Sequence, residues 1–137
     1  MATEVTIGPH QLRIDGDAVL TRWMGTPEYE HVRAIHLHFE QALATYGHLF
    51  AINDMRHSGM PSSQTRKWIA EWALRYPSVV VLNFGASLTI RAIQTMVFRA
   101  LALMGNRPPV EVVYFGSEAE ALAWLEVRRR QLGTQDG

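Results

Sequence analysis

Between Asp54 and Arg66 the chain reads Asp-Met-Arg-His-Ser-Gly-Met-Pro-Ser-Ser-Gln-Thr-Arg, its densest run of side chains able to do chemistry. A carboxylate, an imidazole and a hydroxyl at Asp54, His57 and Ser58 are the parts of a hydrolytic triad. Residues this close in sequence rarely converge, however, and the Gly-x-Ser-x-Gly nucleophile elbow is missing. Gly85-Ala86-Ser87-Leu88-Thr89 begins that pattern and lacks its second Gly. Ser87 reads as a helix cap. With Gly85 it also marks a helix start whose free N–H groups could hold an anion. Asp54 falls near the carboxyl end of a buried strand, where open α/β sheets place ligand sites. Arg56, His57, Ser58, Gly59, Ser62, Ser63 and Arg66 then form a loop that is either a binding site or ordinary helix capping.

Six histidines raise the question of a metal. His36 and His38 are two apart on a helix and diverge, while His31 is two turns from His38. Exposed helix histidines are the simpler reading, and no metal or cofactor is expected. The absence of cysteine excludes disulfides, thiolate metal sites and a Cys nucleophile. Thirteen basic residues balance thirteen acidic ones, so no overall field attracts nucleic acid. Arg128-Arg129-Arg130 is expected to complement the negative end of the last helix. Trp68, Trp72 and Trp124 read as core.

The elements that must position these residues follow from periodicity and turn chemistry. Val5 and Ile7, then Leu12 and Ile14, alternate with polar neighbours, and Asp15-Gly16-Asp17 is a hairpin signal. Ala18 to Trp23 forms the third strand. Thr26 can cap a helix with Pro27 in its first position, and Val32, Ile35, Phe39, Ala42 and Leu43 continue it to Gly47. Leu49 to Met55 and Val79 to Leu82 are apolar enough to be strands buried on both faces. Ser62 or Ser63 caps the helix between them, which ends at Pro77. A third helix spans Leu88 to Met104 and closes at Gly105-Asn106. Pro108-Pro109 leads into a strand from Val110 to Phe115. Ser117 and Glu120 form a capping box for the last helix.

The order β-β-β-α-β-α-β-α-β-α in 137 residues implies one α/β domain over residues 1–132, with residues 133–137 as a flexible tail. Its sheet is mixed, with antiparallel hairpins first and alternating strands and helices after them. The opening Met1-Ala2-Thr3-Glu4 has no signal-peptide character, and the longest apolar stretch carries Arg91 and Arg99, too short and too charged for a membrane span. The expected setting is the cytoplasm. The third helix is apolar nearly all round, through Ile93, Met96, Val97, Ala100, Leu103 and Met104. It is expected to pack against a second copy as a homodimer, or else to line a pocket for an apolar ligand.

Asn83-Phe84-Gly85-Ala86-Ser87, Arg91-Ala92 and the run from Val112 to Leu125 resemble SpoIIAA-like proteins of the STAS superfamily. The resemblance implies a mixed sheet with four helices packed largely on one face, and a regulatory protein–protein interaction module that is not an enzyme. In STAS domains acting as anti-anti-sigma factors, a partner kinase phosphorylates a Ser before the second helix. Ser62 or Ser63 matches that location, without the Asp-Ser-Ser-Gly context. The implied partner is a kinase or an anti-sigma-like protein, docking on the segment after Asp54. The likeness of SpoIIAA-like proteins to the CRAL-TRIO fold keeps a carrier or sensor of a lipid-like ligand as the alternative.

Overall fold

The turn and strand chemistry produces one mixed sheet of six strands. The computed structural model describes residues 2–104 and 110–136, with side chains at all of these except 101, 104 and 134–136. Strands β1 (Thr3–Ile7), β2 (His10–Asp15) and β3 (Ala18–Gly25) pair antiparallel. The tight β2–β3 turn rests on Gly16 at φ 61°, where a side chain would be strained. Then follow α1 (Tyr29–Tyr46), β4 (Leu49–Ser58), α2 (Ser63–Arg75), β5 (Val79–Phe84), α3 (Leu88–Met104), β6 (Glu111–Phe115) and α4 (Glu118–Asp136). The element order is the expected one.

Strands β3 to β6 are parallel, and the sheet runs β1-β2-β3-β4-β5-β6. This order decides where the helices go. A right-handed crossover puts its helix on a face set by the direction of travel across the sheet. Travel never reverses between β3 and β6, so α1, α2 and α3 share one face. Helix α4 follows the last strand, closes no crossover, and covers the other face.

Two cores result. On the three-helix side Val19, Leu49, Ala51 and Val79 lie under Val32, Ile35, Phe39 and Trp72. On the α4 side Leu20, Phe50, Ile52, Leu82 and Phe84 lie under Ala121 and Leu125. Strands β4 and β5 feed both, which is why their apolar runs are continuous. Each fully buried large apolar side chain contributes about 1.5–3 kcal/mol.

Three local expectations change. Helix α1 begins at Tyr29 with Glu28 at its N-cap, so Thr26 does not cap it and Pro27 precedes it. The chain there stays tied to its neighbour: Gly59 N–H donates to the Gly25 carbonyl at 2.8 Å. Strand β4 continues to Ser58 because His57 and Ser58 still pair with Met24 and Gly25. Arg56, His57 and Ser58 are therefore strand residues and not loop residues. Helix α4 runs through Gly133 to Asp136, which leaves the arginine run in mid-helix, away from its negative end. Arg128 instead reaches Glu111 of β6 at 2.9 Å, and Arg129 Nε reaches Asp17 of the hairpin at 2.8 Å. The expected Gly105-Asn106 stop and Pro108-Pro109 entry lie outside the described residues.

Candidate functional site

Alternation along β4, together with a register shift against β3 between Arg22 and Met24, divides the Asp54 cluster between the two faces of the sheet. Asp54 points to the α4 side and is buried. Its oxygens accept from Arg22 Nη1 at 2.8 Å, Arg56 Nη2 at 2.7 Å, and Arg56 Nε and N–H at 3.0 and 3.2 Å. Arg22 also donates to Glu118 at 2.8 Å, so its guanidinium ties β3 to Asp54 of β4 and to α4. The Arg56 hydrogen bond is the main cause that holds the Asp54 carboxyl down at about 2, against burial that pushes it up. Asp54 therefore cannot orient His57, and the triad of Asp54, His57 and Ser58 does not form.

Gly85 belongs to the same packing. It has φ 76°, and a Cβ there would come within 2.4 Å of Arg56 Cγ and 3.1 Å of Arg56 N. The glycine makes room for the arginine. Ser87 does cap α3, accepting from the Ile90 N–H at 3.2 Å.

The serines ahead of α2 sit at the opposite edge of the cluster. Ser62 is the cap: its Oγ accepts from the Thr65 N–H at 3.2 Å. Ser63 opens the helix, is exposed, and accepts from Arg66 Nη2 at 3.1 Å. The other Arg66 nitrogen holds the Pro61 carbonyl at 2.9 Å. Ser58 is half-buried and bonds the Gly59 carbonyl.

Residues from this corner reach a cavity of about 160 Å³ between the sheet and the helices. Trp23, Ala51, Met55, Val79 and Val81 supply the sheet wall. His36 and Phe39 come from α1, Ile69 and Trp72 from α2 with Tyr76 just after it, and Ile90, Ile93, Val97 and Phe98 from α3. Ser58, Met60, Pro61 and Arg66 line it at the β4–α2 corner.

A line of polar side chains crosses this apolar space. Trp23 Nε1–H donates to Asn53 at 2.9 Å, and Asn53 donates to Asn83 at 2.8 Å. Asn83 and Tyr114 then both donate to Gln94 of α3, at 3.1 and 2.8 Å. Asn53, Asn83 and Tyr114 are direct register partners on β4, β5 and β6, so the sheet itself aligns them. The sequence reading missed this line. A signal was present: each buried strand has four apolar residues and then Asn, at Asn53 and Asn83.

The apolar face expected on α3 is divided. Ile93 and Val97 turn inward and line the cavity. Met96, Ala100 and Leu103 turn outward and are exposed, as is Leu88. The side chain of Met104 lies outside the described residues. A pocket built on Met96 and Leu103 is thereby corrected, because inward positions three or four apart share one helix face and those two occupy the other.

The helix histidines are also corrected. His36 is buried against Phe39 and Trp72, with ring centroids 5.2 and 4.4 Å away, and accepts from Trp68 Nε1–H at 3.1 Å. His31 and His38 are half-buried. Helix α2 covers the α1 face that carries His36, which periodicity along α1 alone does not reveal. Burial, with a smaller effect of Arg75, pushes the His36 imidazole down to about 3. Among the described residues no three His, Asp or Glu side chains are arranged to hold a metal. No helix among them is long and apolar enough to cross a membrane.

No protein-family model matches the chain, and no curated protein does. Solved structures do. The chain is similar to the anti-sigma factor antagonist SpoIIAA in its unphosphorylated form, with TM-score 0.58 and 12% identity over 92% of this chain and 98% of that one. It is similar to an uncharacterised DUF3478-family protein with a SpoIIAA-like fold from Shewanella loihica PV-4, with TM-score 0.56 and 16% identity over 91% and 92%. The Bacillus cell fate determinant SpoIIAA in its phosphorylated form gives TM-score 0.53 and 14% identity over 91% and 99%. The chain has a SpoIIAA-like α/β fold, as the sequence resemblance implies.

Proposed function

We propose that this protein is a non-catalytic regulatory module of the cytoplasm that docks a partner protein at the corner where β4 leads into α2. The observation that carries the reading is the exposed Ser62-Ser63 pair opening α2. It stands before the second helix, where the STAS resemblance implies a phosphorylated serine. The fold is that of an anti-sigma factor antagonist known in unphosphorylated and phosphorylated forms. A kinase or an anti-sigma-like protein is the class of partner that fits. Asp54 and Arg56 serve by bracing the strand that carries His57 and Ser58 to the corner.

A phosphate on Ser63 adds roughly two negative charges. They arrive at the positive end of α2 and beside Arg66, so the helix tolerates them while its docking surface changes sign. Ser63→Asp is expected to leave the melting temperature unchanged or slightly raised, and to lower capture of the partner from native lysate at least tenfold. Equal capture by both proteins, quantified by mass spectrometry, would remove the switch.

The outward strip of α3 is the face for a second copy. Leu88, Met96 and Leu103 are 82, 71 and 90% exposed there, more apolar surface than one helix ordinarily leaves wet. Sedimentation velocity is expected to show a dimer that Met96→Glu with Leu103→Glu converts to a monomer. A wild-type monomer at high concentration would end this idea.

A second reading is favoured by the cavity itself: a carrier or sensor of an apolar ligand, held beneath α3 and next to the docking corner. The lining that supports it is Ile93, Val97 and Trp72, not the outward methionine.

A further inference from the structure

The seam between α1 and α2 holds two arginines over one indole. Arg33 of α1 and Arg75 of α2 place their guanidinium carbons 5.4 and 5.3 Å from the Trp68 ring centre. Arg33 also lies 5.5 Å from the centre of the Tyr29 ring. The indole is itself fixed: Trp68 Nε1–H donates to His36 at 3.1 Å, and Tyr29 meets the ring edge-on at 5.9 Å. Stacking engages the flat face of a guanidinium and leaves the N–H donors around its edge unspent. Both arginines are exposed, and among the described residues neither forms an ion pair. The acids around them are occupied elsewhere: Glu71 pairs with Lys67 at 3.9 Å, and Glu40 accepts from Tyr76 at 2.7 Å.

Two like charges over one ring repel each other, and an anion seated on both relieves that repulsion. The stack also presets the two guanidiniums, so a carboxylate that binds them has little left to order. Trp, Tyr and Arg are the residues that dominate binding energy at protein interfaces. We propose that the α1–α2 seam docks an acidic segment of the partner protein, seating its carboxylates on Arg33 and Arg75 with Trp68 and Tyr29 as their rack. This rests on the docking reading and adds the chemistry of the partner. A phosphate on Ser63, about one and a half turns earlier on α2, repels such a segment, which gives the switch its sign. Nucleic acid fits less well. Bases stack on open aromatic faces, whereas this indole already carries Arg33, Arg75 and His36.

A short fluorescent peptide of Glu-Ser repeats and its Gln-Ser counterpart test the seat by anisotropy. The Glu-Ser peptide is expected to bind about tenfold tighter, and more weakly as salt rises. Arg33→Gln with Arg75→Gln is expected to abolish that preference at an unchanged melting temperature. Arg13→Gln with Arg99→Gln removes the same charge from exposed sites elsewhere and is expected to keep it. Equal binding of the two peptides, or an equal loss in both double variants, would overturn the proposal. So would tighter binding of a single-stranded oligonucleotide than of the Glu-Ser peptide. Capture of the partner from native lysate separates this seat from the docking reading beneath it. Ser63→Asp and Arg33→Gln with Arg75→Gln are each expected to lower capture about tenfold. A loss with Ser63→Asp alone leaves docking at the corner standing and removes the acidic seat; no loss with either removes both.

Discussion

Lowering the pH from 6.5 towards 4 is expected to destabilise this protein steadily through His36, with the slope approaching that of one proton taken up on unfolding. Unfolded, that imidazole takes a proton below its ordinary value of 6.5, whereas folded it resists until about 3. Protons therefore bind the unfolded chain first. The neutral ring's contribution is complete above 6.5 and is lost progressively as the pH falls towards 3. Across that window the loss reaches about 5 kcal/mol, comparable with the whole stability of many domains.

Two other groups act in the same direction. Burial, with the neighbouring His31, lowers His10. Asp54 stabilises the fold above 3.8 and gives that up as the pH falls to about 2. Urea unfolding at pH 7, 5.5 and 4.5 measures the slope. His36→Gln keeps an acceptor for Trp68 and cannot titrate, so its slope is expected to be shallower by one proton. Parallel slopes in variant and wild type would show that His36 is not the group responsible.

Asp54→Asn is expected to cost about 3 kcal/mol in the same assay, at the low end for breaking a buried ion pair. The low end applies because water can reach Arg56, whose side chain is 55% exposed, and because Arg22 keeps Glu118. The amide can accept on one oxygen only, and it carries no charge to hold the two guanidiniums. A change below about 0.5 kcal/mol, the range of ordinary surface substitutions, would mean that the carboxylate is not structural. It would also return Asp54 to the list of residues free to bind a ligand.

That result matters for how far a motif can be read from its neighbours. Asp54, His57 and Ser58 look like a cluster because they are adjacent in sequence. In the strand, the pleat and a register shift against β3 between Arg22 and Met24 decide the faces: Asp54 is held by Arg22 and Arg56 on the α4 side, while Ser58 lines the cavity on the other. The mistake about where β4 ends follows from the same gap. His57 and Ser58 are polar and look like a loop, yet pairing with Met24 and Gly25 keeps them in the sheet. Their pairing partners lie more than thirty residues away, beyond the reach of local pattern.

Local chemistry did determine a great deal. Each strand and helix is present in the expected order, because apolar period, glycine turns and caps act over a few residues. Ser62, one of the two candidate serines, and Ser87 form their caps, and Ser117 accepts from the Glu120 N–H while the Glu120 carboxylate reaches back to the Gly116 N–H. Those signals are short-range, so the amino-acid sequence carries them whole.

What only the tertiary structure decided is which sides meet. The unreversed strand order put three helices on one face and removed the switch-point crevice that had drawn attention to Asp54. Helix α2 buried His36, the sheet register joined Asn53 to Asn83 and Tyr114, and α3 turned Val97 inward and Met96 outward. Each of these depends on packing between segments distant along the chain, and the free energy of such packing is not written in any one of them.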